Sequence, residues 1–273
     1  MRVIDALAMT KSDGMTYGGY LTLEPLLSAQ HPISDHHDEL LFIILHQTKE
    51  LWLKQIVHEL RVALDLVRGD QLIEVHKNLS RVSRIQAVMT LSWDVLATLT
   101  PTDYMQFRDV LGTSSGFQSV QFRQFEYLLG LKDGGHLKFH EEGSAEHRAL
   151  ADALGRRSLW DEANAALARG GFDLPDAALD RDWSQTYVPS EAVEGAWAQV
   201  YRDTEKWWRF YQFAEKLVDI DDAMAVWRHK HAVTVERVIG LKRGTGGSAG
   251  VPYLQSTVGK RAFPELWTLR TRL

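Results

Sequence analysis

Apolar residues recur along most of this chain at spacings of three, four and seven, and that periodicity constrains the fold more than any single motif. Between Gln71 and Leu99, the residues Leu72, Val75, Leu79, Val82, Ile85, Met89 and Leu96 keep this spacing. Such a pattern puts them on one face of an α-helix of about 3.6 residues per turn. Runs that alternate apolar and polar residues, the mark of half-buried strands, are missing, and no internal repeat is visible. The expected fold is all-α: a single domain over residues 1–273, built of long antiparallel helices.

Punctuation along the chain sets the expected boundaries. Ser34 or Asp35 opens a first long helix, Asp38 and Glu39 add negative charge to its first turn, and "GD" ends it after Arg68. A second helix spans roughly Gln71 to Leu99. In "TPTD", Thr100 can cap, Pro101 takes the first helical position and Asp103 follows, so a short helix starts there and stops at Gly112. Phe117 to Leu129 reads as another, closed by Gly130, and "GLKDGGHLKFHEEGS" reads as a polar connection. Two or three weaker helices follow up to Pro175. The last long pair is expected at Ser190 to Leu217 and Asp221 to Ile239, followed by "KRGTGGSAG" and a terminal segment in which Pro264 starts a helix.

Composition removes several function classes. The chain is 45% hydrophobic and 25% charged, the profile of a soluble globular protein. Its net charge is −5 and its basic residues are scattered, which leaves no footprint for nucleic acid. The N-terminus lacks the apolar core of a signal peptide, and no apolar run reaches the ~20 residues needed to span a bilayer. The expectation is a cytoplasmic protein without a membrane partner. Cysteine is absent, which excludes disulfides, thiolate nucleophiles, iron–sulfur clusters and Cys-ligated zinc or haem. Any metal must be held by His, Met, Tyr or carboxylate.

Four stretches could carry chemistry. In "LLFIILHQTKELW", His46 falls in a run of large apolar side chains and shares a helix face with Phe42, four residues earlier. It is either a satisfied core histidine or the polar tip of a flat aromatic pocket. In "MAVWRHKHAVTVERVI", Met224, Trp227, His231, Val235 and Val238 form one stripe, so His231 points inward and His229 away. A neutral imidazole so placed suits a proximal haem ligand, and equally a buried structural histidine. In "TPTDYMQFRDVLG", Tyr104 and Arg108 are four apart and could clamp a small carboxylate, with an ion pair from Arg108 to Asp103 or Asp109 as the plainer reading. "KRGTGGSAG" has four glycines in nine residues but no G-x-x-x-x-G-K-[ST] order, so a closing flap centred on Thr245, or a plain linker, fits better than a phosphate loop. No H-E-x-x-H and no paired E-x-x-H motifs occur, and "HHDEL" reads as a solvated helix start.

Together the blocks "TYGGYL", "DELLFIILHQTKELWLK", "TPTDYMQFRDVLGTSSGFQSVQFRQFEYLLG", "WRHKHAVTVERVIGLKRGTGGSAGVPYL" and "FPELW" resemble the successive signature blocks of the bacterial tryptophan 2,3-dioxygenases. The resemblance covers most of the chain in the expected order, with residues 131–200 matched loosely. It implies an all-helical cytosolic homotetramer, a dimer of dimers, with one haem b per subunit, ferrous in the active form and enclosed by the helices. It further implies insertion of both atoms of O₂ across the indole 2,3-bond of L-tryptophan to give N-formyl-L-kynurenine, the first step of the kynurenine route. Carried over by position, it assigns His231 to the haem iron as proximal ligand and His46 to the indole N–H. Phe42 packs on the indole ring, Arg108 pairs with the substrate carboxylate, Tyr104 lines the same pocket and Thr245 meets the ammonium group. Ser115 and Trp93 fall on the haem side. Residues 1–30 reach a neighbouring subunit, with Tyr17, Tyr20 and Leu21 completing its pocket. A non-catalytic helical haem sensor or carrier is the alternative.

Overall fold

In a computed structural model describing residues 14–273, the periodicity becomes thirteen α-helices, with no strand among those residues. Two short helices, α1 (Tyr17–Leu21) and α2 (Leu23–Leu27), precede α3 (His37–Arg68) and α4 (Val75–Leu96). Then come α5 (Pro101–Phe107), α6 (Val120–Leu129), α7 (Ala145–Gly155), α8 (Leu159–Arg169) and α9 (Asp176–Leu179). The chain ends with α10 (Glu191–Arg202), α11 (Trp208–Ile239), α12 (Val251–Val258) and α13 (Pro264–Thr268). No helix of the described residues is long and apolar enough to cross a membrane.

The 32-residue helices α3 and α11 form the frame. Helix α4 packs against both, α6 and α8 lie against α3, and α12 lies against α11. The predicted stripe of α4 is buried from Val75 to Met89 and shares one core with Leu60 of α3 and with Leu217 and Ile220 of α11. Each such side chain contributes roughly 1.5–3 kcal/mol on burial. Tertiary packing therefore holds these helices more firmly than their local propensities do.

Helix ends agree with the sequence where the cap is local. Thr100 and Asp103 form a reciprocal capping box around Pro101: Asp103 N–H donates to Thr100 Oγ1 (3.2 Å) and Thr100 N–H donates to the Asp103 carboxylate (3.1 Å). Helix α3, however, starts at His37, and neither Ser34 nor Asp35 caps it. The buried Glu39 carboxylate instead reaches back to accept the N–H groups of Ile33 and Ser34, both at 2.8 Å, and ties the incoming chain to the helix. The second long helix is shorter than expected at both ends.

The segment 190–239 departs most. Helix α10 stops at Arg202 and α11 runs unbroken through the expected gap at residues 218–220. The expected last helix begins at Asp221, yet that residue is fully buried within α11 and accepts from Ala262 N (3.0 Å), Phe263 N (3.3 Å) and Trp267 Nε1 (3.0 Å). Its carboxylate fastens the C-terminal segment, a contact 41 to 46 residues away in sequence. The stretch after Gly130 is likewise more than a polar connection. Buried Lys132 donates to the carbonyls of Ala153 (2.6 Å), Leu154 (3.0 Å) and Arg156 (2.8 Å), closing the C-terminal end of α7.

Candidate active site

Helices α3, α4, α5, α6 and α11 leave between them a cavity of about 750 Å³, large for a small-molecule site. Phe42, His46, Trp93, Tyr104, Arg108, Ser115, His231 and Thr245 all line it. Residues far apart in sequence thus meet on one surface. Tyr17, Tyr20 and Leu21 do not: they stand exposed on α1, outside this chain's cavity. Of the segment 1–30, residues 1–13 lie outside the described residues.

His46 is fixed by its own helix. Its Nδ1–H donates to the carbonyl of Phe42 at 2.7 Å; a carbonyl can only accept, so the proton sits on Nδ1 and Nε2 keeps a free lone pair. The Phe42 ring lies 4.2 Å away, centroid to centroid, and packs in turn on Tyr104 (5.9 Å) and Phe107 (5.7 Å). His46 is accessible from the cavity, yet the surrounding walls desolvate it. Burial, with a smaller push from Lys49, brings its pKa down to about 4 against the opposing bond to Phe42. The ring is neutral at pH 7.

His231 faces the same space from α11. Trp93 stacks on its imidazole at 4.4 Å and 9°, and Trp227 lies 5.2 Å away at 48°. Burial, then the charges of Lys49 and His46, lower its pKa to about 3. It too is a neutral base. Among the described residues no group of three or more His, Asp or Glu is placed to hold a metal ion. A metal at His231 would have to arrive inside a larger ligand that fills most of its coordination sphere.

The cavity's electrostatics describe that ligand. Four basic side chains, Lys49, Arg108, Arg123 and Arg228, face two carboxylates, Glu50 and Glu126, so the wall carries an excess of one positive charge with Lys49 neutral and of two once Lys49 is protonated. Arg123 and Arg228 both donate to Glu126, at 2.5 and 2.8 Å. Five buried donor atoms on the wall lack an acceptor: Lys49 Nζ, Trp93 Nε1, Arg108 Nε, Arg123 Nε and Trp227 Nε1. No buried acceptor of the wall is similarly stranded among the described residues, and the free lone pair of His46 Nε2 is accessible from the cavity. Buried polar atoms are almost always paired. The cavity therefore suits a largely apolar ligand that carries negative charge and supplies acceptors.

Arg108 pairs with neither Asp103 nor Asp109. It lies in a short 3-10 turn after α5 and donates to the carbonyl of Arg243 at 2.7 Å, within the glycine-rich loop. That loop is a flap closed over the cavity, pinned where Thr245 Oγ1 donates to the Ser114 carbonyl at 2.5 Å. Gly246 lies so close to Ser115 that a Cβ would come within 2.4 Å of it. Gly250, at φ +71°, leaves no room either, since a Cβ there would sit 2.5 Å from the Lys242 carbonyl oxygen. Sequence reasoning missed Lys49, three residues after His46 in the same apolar run, and the pair Arg123 and Glu126, set in a helix that reads as packing.

A family model described as tryptophan 2,3-dioxygenase matches residues 4–170 and 156–273. A tryptophan 2,3-dioxygenase of Caulobacter vibrioides is 63% identical over 259 residues, 95% of this chain and 98% of the relative. Proteins of the same name from Bacillus thuringiensis and Bordetella pertussis are 51% and 49% identical over 261 and 259 residues, covering 96% and 95% of this chain and 94% and 91% of theirs.

Proposed function

Because the chain belongs to the tryptophan 2,3-dioxygenase family, we propose that its cavity holds a haem b on His231 and seats L-tryptophan against α3, beside His46. The activity is that of a dioxygenase acting on L-tryptophan and O₂. The observation that carries the cofactor is the surplus of basic groups on the wall, two more than its carboxylates; together with five unpaired donors, they suit the two carboxylates of a porphyrin. The neutral imidazole of His231 suits an axial ligand. Bound ferrous haem supplies the activation of O₂, chemistry that none of these side chains provides.

The residues supply orientation, dryness and recognition of a zwitterion. Arg108 can exchange the Arg243 carbonyl for the substrate carboxylate, which its planar fork grips by two hydrogen bonds, with the buried Tyr104 hydroxyl beside it. Thr245 Oγ1, already donating to Ser114, keeps lone pairs to accept from the ammonium group. Phe42 stacks on the indole, and His46 Nε2 accepts the indole N–H. Ser115 and Trp93 stand on the cofactor side. The product would be N-formyl-L-kynurenine, feeding the kynurenine route. We further assign the chain to a homotetramer in which Tyr17, Tyr20 and Leu21 of one subunit close a neighbour's pocket.

Protein expressed with added haem should carry one haem per chain, show a Soret band and convert L-tryptophan to N-formyl-L-kynurenine in air. His231→Ala should lose that haem, since no cysteine or second histidine on the same face replaces it. A Soret band without turnover would leave a haem sensor or carrier. Full haem content in His231→Ala would move the ligand elsewhere.

A further inference from the structure

Lys49 is the basic side chain of the cavity with neither a carboxylate nor a carbonyl partner among the described residues. Arg123 and Arg228 share Glu126, and Arg108 has the Arg243 carbonyl. Lys49 has only the face of Trp93, whose ring centroid lies 2.8 Å from Nζ. It is 6% exposed, and none of its three potential donors finds an acceptor. Its helical neighbour Glu50 is engaged with Ser119 and Gln121. The nearby groups on facing elements, Trp93 and His231, are neutral. A cation–π contact to one indole does not offset the desolvation of an ammonium group. Burial accordingly pulls the Lys49 pKa down to about 6.

Position separates this residue from the amino-acid clamp. Phe42 packs on Tyr104, so Arg108 stands at the Phe42 end of α3. Lys49 lies seven residues further on, about 10 Å along the helix axis. It borders the Trp93–His231 stack, where the porphyrin would enter. We propose that Lys49 is a carboxylate anchor for the cofactor: a propionate of the porphyrin supplies the acceptor that its ammonium lacks. This rests on the haem reading above and adds to it a residue that the sequence motifs did not mark.

The test is a fluorescence titration of the full chain, expressed without added haem, with iron-free protoporphyrin IX and with its dimethyl ester. Wild type should prefer the diacid. Lys49→Met should weaken the diacid by about ten-fold, the scale of a hydrogen bond between charged groups, and leave the ester unchanged. Lys49→Arg should keep most of the preference. In urea, the haem-free Lys49→Met chain should be as stable as wild type or more so, because a desolvated amine without a hydrogen-bond partner has been replaced by an apolar side chain. A loss of binding combined with unimpaired stability is what a merely structural lysine would not give. Lys49→Gln serves for the same comparison if the Met variant does not fold. Equal losses for diacid and ester, or none for either, would overturn the proposal. So would a loss confined to L-tryptophan in the haem-loaded protein, which would move the carboxylate to the substrate. If wild type binds neither porphyrin, the haem reading itself fails, and that result needs no variant.

Discussion

The bond from His46 Nδ1–H to the Phe42 carbonyl decides what this histidine can do. It leaves Nε2 as an acceptor, which suits an indole N–H and does not suit a proton donor. The pKa near 4 extends the neutral form well below pH 6. Between its ordinary value of 6.5 and about 4, the unfolded chain takes up a proton that folded His46 refuses. His46 therefore contributes full stability above pH 6.5 and loses it as the pH falls towards 4. In His46→Ala the acid-side loss of urea stability should be shallower. With haem retained, a positioning hydrogen bond is worth about 0.5–1.5 kcal/mol, or roughly 2- to 13-fold in kcat/KM. A general base would cost on the order of 10²- to 10⁴-fold. Removing the imidazole should also narrow the gap between N1-methyl-tryptophan and tryptophan, and an unchanged gap would place His46 away from the indole nitrogen. His46, His231 and Arg108 were legible as residues because their helical spacing gives each a face. Lys49 was not, since its meaning depends on a cavity that the α3 sequence alone does not reveal.

Among the elements, the flap is the one whose conformation most depends on single residues. Its closure needs Gly250 at φ +71°, a region that costs other residues about 1–3 kcal/mol. The Lys242 carbonyl fills the space where a side chain would begin. Gly250→Ala should loosen the flap, raise KM for L-tryptophan several-fold and leave haem content unchanged. Gly259→Ala, at φ −80° with nothing near its Cβ direction, is the control and should match wild type. A KM in Gly250→Ala equal to that of the control would mean that the flap does not cover bound substrate. Elements were readable where their boundaries are local, as in the capping box at Thr100 and the stop at Gly130. They were misread where a distant partner decides. A helix boundary is expected at Asp221, whereas its carboxylate lies mid-helix and fastens Ala262 and Phe263.

For the whole molecule, α1 carries no buried residue and leaves Tyr17 and Tyr20 77% and 73% exposed. Two aromatic rings so exposed on a five-residue helix suit a surface covered by another subunit. If they complete a neighbour's pocket, two different defects should complement. Chains with His231→Ala, lacking haem but offering an intact N-terminal segment, can be co-assembled with chains carrying Tyr17→Ala, Tyr20→Ala and Leu21→Ala. The mixture should regain turnover above either parent, and no recovery in mixed oligomers of verified composition would confine these residues to their own subunit. The sequence by itself determined the helical class, the stripes on α4 and α11, and the aromatic, imidazole, guanidinium and hydroxyl groups that reach the cavity. It could do so because helical periodicity and capping are local, set within a few residues. Only the tertiary structure decided that α11 is continuous, that the flap latches onto Arg108, and that Lys49 and Arg123 share a wall with both imidazoles. Those depend on which elements meet across the cavity, where charge and desolvation are properties of the enclosed space rather than of any one segment.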